Sequence, residues 1–159
     1  MTIEALTPED WNAVAEIYEQ GLDTGTFEEF VPPWPEWDAA HLVWPRLVAR
    51  EDGAVLGWAA LTPVSPRECY RGVAELSIYV AREARGKGVG KALLDELCRA
   101  ADAARIWTVQ ASILGGNDAS VALHSACGFR MVGTREKLAR KRGEWRDVIL
   151  MERRSGLVT

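Results

Sequence analysis

The sequence predicts a mixed α/β fold, one largely antiparallel sheet flanked by helices, in a single domain spanning residues 1–159. Three observations carry that prediction. Short runs of period-two and helix-period apolar residues follow one another in the order β-α-(α)-β-β-β-α-β-α-β-β. Two of the runs, 46–50 and 55–63, are joined by Glu51-Asp52-Gly53, and Asp-Gly between apolar runs signals a hairpin. A third run, Ala74-Glu75-Leu76-Ser77-Ile78-Tyr79-Val80, leads to Arg85-Gly86-Lys87-Gly88-Val89-Gly90, so a strand feeds a glycine-rich turn that opens a helix.

Residues 2–6 read as a first strand. Thr7-Pro8-Glu9-Asp10 then starts a helix, with Thr as N-cap, Pro in the first turn and acids beside it. Trp11, Val14, Ala15, Ile17 and Tyr18 recur at helical spacing, and Gly21 is its stop. From 22 to 45, Phe27, Phe30, Trp34, Trp37 and Trp44 are interspersed with four prolines, which rules out a long helix and leaves a short one over 38–43. This aromatic segment is either the roof of a core or the wall of a pocket.

After the hairpin and a loop through Ser65-Pro66-Arg67-Glu68 comes the strand 73–81. The helix opened by the glycines runs to about 103, with Val89, Leu93, Leu94, Leu97 and Ala101 on one face. A β-branched strand over 106–113 follows. Asn117 caps a short helix that ends at Gly128, and strands 129–138 and 145–152 pair around Arg140-Lys141-Arg142-Gly143. The cations Lys137, Arg140, Lys141 and Arg142 read as a solvated hairpin tip.

Composition narrows the function. A hydrophobic share of 48% with 26% charged residues is that of a globular protein, and a net charge of −4 argues against a nucleic-acid partner. Three scattered cysteines without CxxC spacing suggest neither a disulfide framework nor a zinc site, and fit a reducing compartment. With no membrane-length apolar stretch and no signal-like N-terminus, the expectation is a cytoplasmic protein with no membrane partner.

The glycine-rich turn directs backbone N–H groups and a helix N-terminus at one spot, an arrangement that suits phosphate. It is not a dinucleotide fingerprint, because Lys91 stands where GxGxxG needs its third glycine, and GxxxxGK[ST] is absent. Arg85-x-x-Gly88-x-Gly90 after such a strand resembles the Q/R-x-x-G-x-G/A signature of the GCN5-related N-acetyltransferases. Further motifs are similar to the phosphinothricin acetyltransferase branch of that family: Thr24-x-Thr26-Phe27-Glu28, Arg67-x-x-Tyr70 before Glu75, Asn117-Asp118-x-Ser120-Val121-x-x-His124, and Gly143-x-Trp145-x-Asp147. Two features depart from it: Leu76 stands where relatives often carry a polar residue, and the Trp-rich 34–44 segment matches nothing specific.

The resemblance implies the GNAT fold, with the sheet splayed between the strands at 73–81 and 106–113 and acetyl-CoA seated in the gap. By the same resemblance, Arg85, Gly86, Lys87, Gly88, Val89, Gly90 and Lys91 hold the pyrophosphate. Ile78, Tyr79 and Val80 pair with the pantetheine arm by their backbone, Asn117 and Ser120 join them, and no metal is needed. Phe27, Glu28, Arg67, Tyr70, Glu75 and Ser77 are implied to surround the acceptor, a small amine of the phosphinothricin, methionine sulfoximine or methionine sulfone type. A homodimer is implied as well.

On their own chemistry, the candidate catalytic residues read as follows. Alternation puts Leu76, Ile78 and Val80 on the core face and Glu75, Ser77 and Tyr79 on the other. A carboxylate on a central strand is costly unless hydrogen-bonded or used. Glu75 is therefore either a base that deprotonates an ammonium or a structural partner of Arg67 or Arg71. His124 stands where many family members carry the tyrosine that protonates the departing thiolate, and so is implied as general acid or thiol-orienting group. Arg67 is either a carboxylate clamp or a solvated loop residue. Acetylation of protein N-termini or lysines, and non-catalytic acyl-CoA sensing, are the alternatives to small-amine acetylation.

Overall fold

The structure, a computed structural model, describes residues 1–23 and 26–159. The implied motif residue Thr24 lies outside them. Among the described residues, seven strands form one sheet in the order β1-β2-β3-β4-β5-β7-β6. They are β1 (Thr2–Ala5), β2 (Arg46–Glu51), β3 (Ala54–Pro63), β4 (Val73–Val80), β5 (Thr108–Leu114), β6 (Arg130–Lys141) and β7 (Glu144–Arg154). Every pairing is antiparallel except β4 with β5. The helices are α1 (Trp11–Gly21), α2 (Trp34–Ala40), α3 (Val89–Ala103) and α4 (Asp118–Ala126).

Local chemistry accounts for the boundaries. The Asp10 carboxylate accepts from the Thr7 N–H at 2.9 Å, so the Thr-Pro-Glu-Asp start closes through a single 3-10 turn before α1. Asn117 Oδ1 accepts the Ser120 N–H at 3.1 Å and caps α4. The short helix expected over 38–43 instead begins at Trp34 and ends at Ala40. Pro35 falls in its first turn, where a missing N–H costs nothing, so the prolines start this helix rather than prevent it. The strand expected from residue 106 begins at Thr108, because Ile106 still donates to Ala101 O at the end of α3. Strands β6 and β7 run closer to their turn than expected, so the tip shrinks to Arg142-Gly143.

Helices α1 and α3 cover opposite faces. Tyr79 of β4 stacks on Tyr18 of α1 at 4.9 Å, while its strand neighbour Val80 approaches Gly90 of α3. Neither face of β4 is therefore simply polar: Tyr79 also stacks on Trp58 at 4.9 Å, inside the core. Ile78 and Val80 pack against the core as the alternation expects, but they are only half-buried and also border a cleft. The parallel register of β4 and β5 comprises only Val73–Thr108, Ala74–Val109 and Glu75–Gln110. Beyond Glu75 the strands separate, and that gap holds the cavities described next.

Candidate active site

Two adjoining cavities occupy the gap, sharing Ile78, Tyr79, Asn117 and Ser120 as walls. The larger, of about 770 Å3, follows the outer half of β4 to the glycine-rich turn and the start of α3. The smaller, of about 330 Å3, lies around Glu75 and His124.

The turn is built for close approach. Gly86 and Gly88 have φ of +76° and +82°, a region that favours glycine, and nothing lies within 4 Å of where a Cβ would stand. Gly88 is the N-cap of α3, so the unpaired amides of the first turn face the same opening. Of the residues implied to hold a cofactor, Ile78, Tyr79, Val80, Arg85, Gly86, Gly88, Val89, Gly90, Lys91, Asn117 and Ser120 all line the larger cavity, and Lys87 does not. Arg85 Nε folds back onto Val80 O at 3.3 Å, and Lys91 pairs with Asp95 at 2.7 Å on the surface. An open helix N-terminus, glycines without side chains and two flanking cations fit a pyrophosphate-bearing ligand. The unpaired edge of β4 fits an extended amide-bearing arm.

Sequence reasoning missed Arg146. It lines the larger cavity from the opposite wall and donates to Gly115 O at 3.0 Å. Its only sequence signal is its place beside the Trp145-x-Asp147 motif.

Glu75 sits where β4 and β5 part. Gln110 Nε2 and Ser112 Oγ both donate to its Oε1 at 2.9 Å, leaving Oε2 to the cavity that Glu75 lines. The structural alternative, pairing with Arg67 or Arg71, is not what holds it: Arg71 pairs with Glu68 and lies over the Trp107 ring. Gln110 and Ser112 were legible only as polar residues alternating along a β-branched strand, a pattern that names no partner.

His124 is 2% exposed. Its Nδ1 lies 2.7 Å from Ser120 O, and a carbonyl can only accept, so Nδ1 carries the proton. Burial pulls its pKa below the usual histidine value. Nε2 is consequently a bare acceptor, buried without a partner in a residue that lines the smaller cavity. The expectation of a general acid therefore shifts: His124 has first to take a proton before it can give one.

Phe27, Glu28 and Ser77 line the smaller cavity together with Glu75. Thr26, 2% exposed, stands beside them, and its Oγ1 accepts from Tyr79 OH at 2.6 Å. Burial raises the Tyr79 pKa to about 12, so the phenol stays a donor. Arg67 and Tyr70 lie on the exposed loop before β4 and do not border the cavity of their own chain. The reading of Lys141 as part of a solvated tip is overturned, for it is buried at 9% exposure. Cys69, Cys98 and Cys127 are free thiols outside both cavities. The described residues contain no cluster of three His, Cys, Asp or Glu able to hold a metal, and no helix among them is long and apolar enough to cross a membrane.

Comparison with known proteins agrees with this geometry. Residues 11–129 match the acetyltransferase (GNAT) family. The chain is 38% identical to a phosphinothricin N-acetyltransferase of Alcaligenes faecalis over 163 aligned residues, covering 96% of this chain and 81% of that one. Among solved structures it is similar to a phosphinothricin acetyltransferase from Sinorhizobium meliloti in complex with AcCoA, with TM-score 0.87, 35% identity, and 98% and 88% of the two chains covered. It is also similar to a ribosomal-protein-alanine N-acetyltransferase from Brucella melitensis, with TM-score 0.89, 32% identity, and 98% and 100% covered.

Proposed function

The chain belongs to the acetyltransferase (GNAT) family, and from that premise we propose that, as a single domain, it moves the acetyl group of acetyl-CoA to the amino group of a small amino-acid-like acceptor, of the phosphinothricin, methionine sulfoximine or methionine sulfone type. The observation that carries this reading is the Glu75 carboxylate, oriented through one oxygen by Gln110 and Ser112 and open through the other to the smaller cavity at the inner end of the cofactor cleft.

Acetyl-CoA supplies an activated thioester, and the residues of this chain do the rest. The glycine turn and the α3 N-terminus bind the pyrophosphate, while Ile78, Tyr79 and Val80 take the pantetheine along the unpaired edge of β4. An ammonium cannot attack a thioester, so Glu75 Oε2, through a water, removes its proton. The amine attacks the thioester carbon directly, and a backbone N–H near Tyr79 stabilises the oxyanion. Its collapse breaks the C–S bond and releases CoA as a thiolate, which takes up the second proton lost by the amine nitrogen. His124 Nε2, an acceptor, takes a hydrogen bond from the S–H of the CoA product and so orients the thiol. No cysteine lines the cavity to form an acyl-enzyme.

Arg67 and Tyr70 keep their implied place at the acceptor, and because they lie outside their own chain's cavity this reading includes a homodimer. It also includes a cytoplasmic location, consistent with three free cysteines. Protein N-termini are the second reading, favoured by the likeness to the Brucella enzyme; the small aromatic-walled cavity favours free amines instead.

The test is CoA release with purified protein, acetyl-CoA and a panel of phosphinothricin, methionine sulfoximine, methionine sulfone and an alanine-initiated peptide. Turnover of the first three above the peptide is expected. Turnover of the peptide alone would exchange the two readings, and no acceptor-dependent release with any of the four would overturn both.

A further inference from the structure

The loop that forms one wall of the smaller cavity is tied down by a buried ammonium that lies outside the cavity itself. Lys141 is the last residue of β6, two positions beyond Ala139, which lines that cavity. Its Nζ donates to Leu22 O at 2.8 Å and to Thr26 O. Leu22 is the C-cap of α1, so its carbonyl belongs to the electronegative helix end, where a cation is favoured. Thr26 O belongs to the cavity wall. Two bonds from one ammonium therefore fix the backbone on both sides of the step from α1 into the acceptor loop.

The chain of contacts continues into the site. Thr26 Oγ1 accepts from the Tyr79 hydroxyl at 2.6 Å and from the Glu28 N–H at 3.1 Å. Thr26, Glu28 and Tyr79 all face the cavity that Glu75 lines. Lys141 thus couples the turn end of the β6–β7 hairpin, the acceptor loop and β4. Burying an ammonium is costly unless it is paired, and nothing in a hairpin tip requires it. Arg142 and Arg146 nearby add to the cost, while Asp23 and Glu29 offset it. A cost of this kind is consistent with a role in holding the wall.

We propose that Lys141 is a positioning residue for the acceptor pocket: it holds the 26–28 wall at its distance from Glu75 and so governs acceptor binding without touching the acceptor or the acetyl-CoA cleft. This deepens the acetyltransferase reading and rests on it for its kinetic arm, but its structural arm stands alone.

The experiment compares wild type, Lys141→Met and Lys141→Arg by backbone hydrogen exchange and by CoA release, with L-methionine sulfone as acceptor probe. In Lys141→Met, exchange at the Glu28 amide, which Thr26 Oγ1 holds, is expected to rise about tenfold while the β2–β3 amides hold their wild-type rates. The KM for L-methionine sulfone is expected to rise about tenfold with the KM for acetyl-CoA within about twofold, and Lys141→Arg, which keeps charge and donors, to recover most of both effects. Thr26→Val cuts the same chain one bond further on and gives the answer if Lys141→Met does not fold; it too is expected to raise exchange at residue 28.

Unchanged exchange at Glu28, or equal changes in the two KM values, would overturn the proposal. If wild type releases no CoA with any amine, the acetyltransferase reading fails, and the exchange arm alone decides whether Lys141 tethers the wall.

Discussion

The aromatic roof over β2–β3 and the cavity beyond β4 are made of the same ingredients, polar groups buried among rings, yet only one of them is equipped for chemistry. In the roof, Arg46 lies 5.2 Å over Trp37 and donates to Leu42 O, Asp38 O, Asp38 Oδ1 and His41 O. His41 gives its Nδ1 proton to Trp37 O at 2.6 Å and stacks on the Trp37 ring at 4.0 Å. In the cavity, His124 makes the same bond to the carbonyl four residues back, at 2.7 Å, but its second nitrogen has no partner among the described residues. Glu75 likewise commits one oxygen and leaves the other free. The local bond is the same in both histidines; what faces the remaining atom differs. Unpaired polarity is not itself the mark, since the Trp37 and Trp58 indole N–H groups are also buried without partners. Trp37 and Trp58 border neither cavity, whereas His124 and Glu75 both line the smaller one.

The comparison breaks if the two regions respond alike to mutation. The largest expected effect is on the cavity side: Glu75→Gln keeps the shape and an acceptor oxygen but removes the base, and should lower turnover about 10²–10⁴-fold. Acetyl-CoA affinity and the thermal unfolding midpoint should hardly move. An unchanged rate would remove Glu75 from the mechanism. On the roof side, Arg46→Met should do the reverse. Leu42 O, Asp38 O and His41 O lose their donor, and about 2–4 kcal/mol of stability should go with it, measured by urea unfolding. The activity per folded molecule should stay near wild type. A catalytic loss larger than the folded fraction explains would mean that the roof is coupled to the chemistry.

His124→Gln sharpens the contrast within the cavity. A CoA thiolate leaves readily even without an acid, so the expected loss in turnover is about tenfold, short of the Glu75 effect. His41→Gln should leave turnover unchanged, and equal losses in both would show that position near the site, not the free nitrogen, is what matters.

The difference between the regions also explains what the sequence could disclose. The strand Val73–Val80, the Asp-Gly hairpin, the Asn117 cap and the glycine turn are local signals, each written within a few residues, and the structure has each of them. By its composition the aromatic segment from 22 to 45 is either roof or pocket wall. It is divided: Phe27 borders the cavity, while Trp34 and Trp37 pack in the roof. Proline and aromatic content could not make that division, because it depends on which strand each residue meets. The partners of Glu75 and of Thr26 were illegible for the same reason. Gln110 and Lys141 are 35 and 115 residues away from them, and neither carries a local pattern that names its acceptor. Sequence showed which groups hold chemistry; only the long-range contacts showed which are left free to use it.

The smallest expected effect tests whether the two histidines are energetically alike. Burial lowers the pKa of both His41 and His124, with Arg46 lowering His41 further and Asp38 opposing it. In the unfolded chain each titrates near the ordinary value of about 6.5. Between the lowered folded value and that ordinary value the unfolded chain binds more protons, so stability is fully present above the ordinary value and declines as pH falls through the folded one. Urea unfolding from pH 8 to pH 5 should therefore show declining stability, and His41→Gln and His124→Gln should each remove part of the slope. The two shares should differ once acetyl-CoA is added. A ligand beside His124 Nε2 changes what surrounds that nitrogen and not what surrounds His41, so only the His124 share should move. Equal movement of both shares would show that the cavity and the roof are one electrostatic unit, and the contrast drawn between them would fail.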